Sequence, residues 1–228
     1  MSDIAVVDYG MGNLRSVSKA LEQVAPDLKV VVTSDPDELR GARRVVFPGQ
    51  GAMPDCMREL DARRLRPAVL EAAHSKPFLG ICIGLQMLFD VSDEGNVPGL
   101  GLLSGRVIRF PSESVVGADR SRLKVPHMGW NEVQQTLEHP LWHGISNGSR
   151  FYFVHSYYPV PRDQSLIAGQ SVYLGSFACA VATGNLFAVQ FHPEKSQDAG
   201  LRLLHNFVHW DGRWVSSPRV LDVPLFTE

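Results

Sequence analysis

The chain of 228 residues carries 22 Lys and Arg against 24 Asp and Glu, a formal net charge of −2. This near-neutral balance gives no reason to expect nucleic acid or an anionic membrane as a partner, and no apolar run approaches the length of a membrane span. Its three cysteines, an odd set without metal-type spacing, read as reduced thiols of a cytosolic protein, and no basic region precedes an apolar run near Met1, so no signal peptide is expected.

Ile4 to Asp8 reads as a short buried strand. Gly10-Met-Gly12-Asn13 then opens a helix to about Val24. The two glycines suggest a dinucleotide fingerprint, but the third position is Arg15, so the pattern fails and a tight strand-to-helix turn is expected. Leu28 to Thr33 is a second strand, Ser34-Asp-Pro-Asp-Glu38 caps and starts a short helix, and Arg44 to Phe47 is a third strand. This alternation implies a parallel sheet with right-handed crossovers, and a ligand crevice at the carboxyl ends of its strands. The glycine-rich Pro48-Gly-Gln-Gly51 falls at one such end. Met53 to His74 reads as helical with an interruption near Arg66-Pro67. Arg58, Arg63, Arg64 and Arg66 lie among acids as a solvated face, and Cys56 is expected to be structural.

The stretch Lys76-Pro-Phe-Leu-Gly-Ile-Cys-Ile-Gly-Leu-Gln-Met-Leu-Phe89 reads as a strand, a sharp turn and a helix. Phe78 to Ile81 are apolar, as in a strand buried on both faces. Gly80 and Gly84 flank Cys82, the spacing of a nucleophile elbow. A thiol at a helix N-terminus is biased toward the thiolate, and the N–H of Ile83 can face an oxyanion. Near the other end, the strand Ala188-Val-Gln-Phe191 runs into His192-Pro-Glu194. A Cys–His pair needs a third group to orient the imidazole, and Glu194 can serve.

From Gly99 the texture changes to short antiparallel strands. Leu103 to Phe110 is one, and Pro111 to Ser121 a polar loop. Val125 to Val133 holds Trp130, and Phe151 to Val160 is an aromatic strand. Ser171 to Thr183 and Leu186 to Phe191 form a hairpin around Gly184-Asn185. Ser196 opens a last helix to about Trp210. His74, His139, His143, His205 and His209 fall on helices or in polar loops and are expected to be incidental. Cys179 is expected to be packed. No metal site is expected, because the spacings of metal-binding motifs are absent.

Gly80-Ile-Cys-Ile-Gly-Leu-Gln86 together with Phe191-His-Pro-Glu194 resembles the triad-type (class I) glutamine amidotransferases. Phe47-Pro-Gly-Gln-Gly-Ala-Met53, Pro126-His-Met-Gly-Trp-Asn131 and Phe151-Tyr-Phe-Val-His-Ser-Tyr157 narrow the likeness to the glutaminase subunits of imidazole glycerol phosphate synthase. The resemblance implies an α/β fold, a mostly parallel central sheet flanked by helices with an added antiparallel strand region. It covers about residues 3 to 210, so 1–210 is expected to be one amidotransferase domain and 211–228 a tail.

The resemblance also implies roles. Cys82, His192 and Glu194 would be the catalytic residues. Gly51 and Ile83 would supply the oxyanion hole. The family's loop often has valine where this chain has Gln50, but the backbone does the work. Gln86, Glu94, Ser156 and Tyr157 would bind L-glutamine. Trp130, Tyr152 and Lys195 are candidates for a subunit interface, with His127 as a structural wall beside them. No cofactor is implied. The partner would be a cyclase subunit of (β/α)₈ type, in a cytoplasmic heterodimer. Alternatives are an amidotransferase of the same type feeding anthranilate or purine synthesis, a stand-alone γ-glutamyl Cys hydrolase, or a non-catalytic regulatory subunit.

Overall fold

The computed structural model describes residues 2–111, 115–116 and 121–215. Its centre is an eight-stranded sheet. In spatial order the strands are Gln134–Gln135, Ile167–Val172, Ser176–Thr183, Leu186–Val189, Phe78–Cys82, Arg44–Gly49, Ile4–Val7 and Val30–Thr33. The run from Leu186–Val189 to Val30–Thr33 is parallel, and the first three strands extend it antiparallel. This is the expected α/β architecture.

The inner parallel strands are buried on both faces, and apolar residues such as Ile4, Val46, Phe47, Leu79 and Phe187 fill the core, while the edge strand Val30–Thr33 is partly exposed. Their crossovers explain where the helices lie. Helix Leu14–Val24 steps from Ile4–Val7 outward to Val30–Thr33, whereas helix Pro36–Gly41 steps back across it to Arg44–Gly49. Right-handed connections that run in opposite directions lie on opposite faces. Accordingly Leu14–Val24 packs with the last helix, Gln197–His209, and Pro36–Gly41 packs with Arg66–Ser75. Asp35 caps Pro36–Gly41 by accepting from the Asp37 N–H at 2.9 Å.

Several elements differ from the sequence expectations. The long helix from Met53 breaks at Arg63–Leu65, where Arg64 takes φ 57°; Pro67 lies in the first turn of the next helix, where its ring is tolerated. The elbow helix is a single turn, Ile83–Gln86, and Phe89–Ser92 is a strand. The aromatic strand over Phe151 to Val160 divides at Ser156. Arg150–His155 pairs with His127–Glu132 as a ribbon, while Tyr157–Pro161 joins a second sheet beside Leu103–Arg109. The expected Ser171–Thr183 arm is two strands, because the chain reverses through Leu174 and Gly175, both at positive φ. The hairpin at Gly184-Asn185 is present.

The expected loop over 111–121 lies largely outside the described residues; of it, Val115–Val116 pairs with Ser121–Arg122. Of the expected tail, residues 211–215 are described. There the Trp214 indole donates to the Glu138 carbonyl at 2.7 Å.

Candidate active site

Arg44–Gly49 and Phe78–Cys82 lie side by side with Gly49 opposite Cys82. The loop after one and the turn after the other therefore share the carboxyl edge of the sheet, where α/β proteins bind ligands. Cys82 sits at φ 56° and ψ −110°. A non-glycine residue there is strained by about 1–3 kcal/mol and is held only where its surroundings over-determine it. Gly84 provides part of that constraint. A Cβ at Gly84 would collide with the Phe47 carbonyl oxygen, so only glycine lets the turn lie down on the neighbouring strand. Gly51, across the crevice, has φ 100°, again a backbone suited to glycine.

His192 heads the short turn Pro193–Lys195. Its Nδ1 lies 2.9 Å from Glu194 Oε1, and both side chains are buried. An ionised carboxylate can only accept, so Nδ1 carries a proton. Nε2 is buried and has no hydrogen-bond partner among the described residues. Ser196 Oγ holds the turn by donating to the His192 carbonyl at 2.6 Å and accepting the Tyr152 N–H at 3.0 Å. Burial opposes charge on His192, but the Cys82 sulfur and then Glu194 outweigh it, and the pKa is pushed up to about 10.

Cys82 and His192 open onto a cavity of about 310 Å³. Gly51, Ile83, Gln86, Glu94, Ser156 and Tyr157 line it, so all the expected oxyanion and substrate residues meet at one place. Glu94 also accepts the Met53 N–H at 2.9 Å, which fixes its carboxylate at the start of helix Met53–Ala62. Gln86 is buried. Its Nε2 donates to the Tyr157 carbonyl and to Gln190 Oε1, each at 3.0 Å, while its own Oε1 is buried without a partner among the described residues. That oxygen is what Gln86 can offer a ligand.

The other cysteines are unlike Cys82. Burial raises the Cys56 pKa to about 11 and lifts that of Cys179 further. His139 is not the polar-loop residue expected from the sequence. It is buried among the rings of Phe187, Trp210 and Trp214, and burial lowers its pKa to about 3.

The profile of the family described as "Glutamine amidotransferase class-I" matches residues 5–210. The imidazole glycerol phosphate synthase subunit HisH of Aromatoleum aromaticum is 66% identical over 210 residues, spanning 92% of this chain and 99% of that protein. The subunit HisH of Nitrosospira multiformis is 65% identical over the same shares. This chain belongs to the class I glutamine amidotransferases and, within them, to the HisH subunits of imidazole glycerol phosphate synthase. Solved structures agree on the fold. A glutamine amidotransferase superposes with TM-score 0.65 at 18% identity, covering 91% of this chain and all 100% of that one. The PurLQS structure from Thermotoga maritima superposes with TM-score 0.64 at 21% identity, covering 92% and 99%.

The amidotransferase chain also gathers its interface candidates. Trp130 and Tyr152 face each other across the ribbon with ring centroids 6.1 Å apart, and Lys195 Nζ stands 5.9 Å over the Tyr152 ring. Trp130 is 38% exposed, and Met128, two residues earlier on the same face, is 62% exposed. Met128, beside the interface candidates, and Gln190, beside Cys82, are not among the site residues expected from the sequence. Met128 shows itself only through the alternation with Trp130. Gln190 shows itself as a lone amide inside the apolar run Ala188 to Phe191.

Proposed function

We propose that this amidotransferase hydrolyses L-glutamine to glutamate and ammonia through a Cys82 thioester. It would pass the ammonia to a (β/α)₈ cyclase subunit in a cytoplasmic heterodimer, which makes imidazole glycerol phosphate and an aminoimidazole carboxamide ribotide for histidine biosynthesis. One observation carries the reading. Cys82 and His192 share a cavity, His192 Nδ1 is tied to the buried Glu194, and the Cys82 sulfur raises the His192 pKa.

In this mechanism the Cys82 thiolate attacks the side-chain amide carbon of glutamine. The amide oxygen takes up the negative charge and receives hydrogen bonds from the Gly51 and Ile83 N–H groups, each worth about 3–4 kcal/mol in comparable sites. Nε2–H of His192 protonates the leaving nitrogen, the C–N bond breaks, and ammonia departs. Water then attacks the thioester and gives a proton back to Nε2, and the thiolate leaves with glutamate released. Glu94, the Gln86 Oε1 and the backbone of Ser156 and Tyr157 hold the amino-acid end. Trp130, Tyr152 and Lys195, joined by Met128, dock the cyclase.

Ammonia released without an acceptor would waste glutamine, so the free subunit is a poor glutaminase, and the loop around Gln50 responds to the partner and its ligand. The test is glutamate release by the chain alone, then with the cyclase subunit and its ribotide ligand, beside a Cys82→Ala control. Strong activation that vanishes in the control supports the reading. Activity unchanged by the cyclase refutes the coupling, and activity in Cys82→Ala refutes the nucleophile.

A further inference from the structure

Gln190 stands between Gln86 and the sulfur of Cys82. It directly follows strand Leu186–Val189 and is completely buried. Its Oε1 lies 3.0 Å from Gln86 Nε2, and its Nε2 lies 3.8 Å from Cys82 Sγ. The two ends of an amide are alike in shape, so their direction follows from the hydrogen bonds around them.

Here a backbone group decides the direction. The Tyr157 carbonyl can only accept. It receives His155 Nδ1–H at 2.8 Å and the Gln86 amide at 3.0 Å. Gln86 must turn Nε2 toward it, since the reverse would set oxygen against oxygen. The same Nε2 then has its second N–H for Gln190, which must answer with Oε1. The NH₂ of Gln190 is left facing the sulfur.

We infer that Gln190 is a positioning residue for the nucleophile: the Tyr157 carbonyl, acting through Gln86, aims the Gln190 N–H at Cys82 Sγ, where it holds the sulfur and favours thiolate over thiol. Neutral sulfur is a weak acceptor, whereas an ionised group makes hydrogen bonds roughly twice as strong. Gln86, Gln190 and Cys82 are all buried, so water does little to screen the amide dipole. The amide has no proton to give up, unlike His192. Its effect is therefore present before glutamine binds. The inference rests on Cys82 being the nucleophile.

The test reads the sulfur directly. The full chain is alkylated with iodoacetamide across a pH series, Cys82 labelling is followed by mass spectrometry, and Cys82→Ala serves as the blank. Gln190→Met removes the donor at similar length. Gln190→Glu keeps the size and the bond from Gln86 but sets an oxygen against the sulfur. The titratable groups around the sulfur, His192, Tyr9, Cys56 and Glu94, are untouched by either change.

The labelling midpoint is expected to rise by about one pH unit in Gln190→Met and further in Gln190→Glu. At pH values below both midpoints labelling then slows about tenfold, and it recovers at high pH in Gln190→Met. A merely packing role would lower the unfolding temperature and leave the midpoint in place. Midpoints that coincide with the parent's in both variants overturn the inference. Labelling needs no turnover, so this failure is separate from that of the glutaminase reading, which the Cys82→Ala assay decides.

Discussion

His127 Nδ1 and His155 Nε2 lie 3.0 Å apart inside an aromatic enclosure, and one proton direction runs through both rings. His155 Nδ1–H must donate to the Tyr157 carbonyl, which leaves its Nε2 to accept from His127 Nδ1–H. His127 Nε2 in turn lies 3.3 Å from the Asn131 amide, which can donate to it. Both imidazoles are neutral. Burial lowers their pKa values to about 4 for His127 and about 3 for His155. The pair braces the peptide that walls the cavity at Ser156 and Tyr157.

Stability should therefore fall in mild acid. His127, His139 and His155 have depressed native pKa values, so between those values and about 6.5 only the unfolded chain binds their protons. The stability they support is complete above about pH 6.5 and is lost as pH falls toward 3–4. The two with the lowest values, His139 and His155, together contribute a slope of roughly 3 kcal/mol per pH unit in that window. His192 has the opposite sign, with stability complete below about 6.5 and lost as pH rises through about 10. Urea midpoints across pH, at constant m, should show the acid fall. His139→Gln, which keeps an acceptor for the Leu141 N–H, should flatten it.

Glu194→Gln should leave the fold intact and slow turnover. The amide retains the size but loses the charge that supports the imidazolium, so kcat should drop by about 10²-fold or more with a smaller change in KM. Steady-state kinetics of the cyclase complex measure this. A loss confined to KM would count against the orienting role.

Gly84→Ala should destabilise the chain by about 3 kcal/mol or more, because the new methyl meets the Phe47 carbonyl, a backbone atom that cannot swing away. Denaturant unfolding reads the loss directly. A near-neutral effect would mean that the elbow can lift off the neighbouring strand.

Trp130→Ala should spare folding and weaken binding to the cyclase by about 2 kcal/mol, close to thirtyfold, as expected for a half-exposed aromatic anchor. Titration calorimetry with the partner gives the number, and unchanged affinity would move the docking face elsewhere.

The parallel half of the sheet was legible because each strand is a short apolar run punctuated by Gly, Pro or a cap, as at Ser34-Asp-Pro. The elbow was legible from the glycines on either side of Cys82. What stayed hidden lies where burial on all sides removes the periodic signal. Leu85, Met87, Leu88 and Phe89 are apolar whether the backbone is helix or strand, so the end of the helix at Gln86 left no mark. The aromatic run through Ser156 is equally uniform, although the backbone changes sheets there. The reversal before Ser176 carried a glycine, but its partner in the turn, Leu174, is an unusual residue for positive φ. Gln190 belongs to no motif, and its neighbours Gln86 and Cys82 lie more than a hundred residues away in the chain.

The backbone of Cys82 bears on what would happen to an idle copy of this protein. At φ 56° and ψ −110°, a glycine would be more comfortable than the cysteine. Cys82→Gly should raise the unfolding free energy by about 1 kcal/mol while abolishing glutamine hydrolysis. A duplicate released from its chemistry would thus have a thermodynamic reason to discard its sulfur. Among sequences that drift away from this activity, the nucleophile should be an early loss, well before the residues that shape the pocket around it.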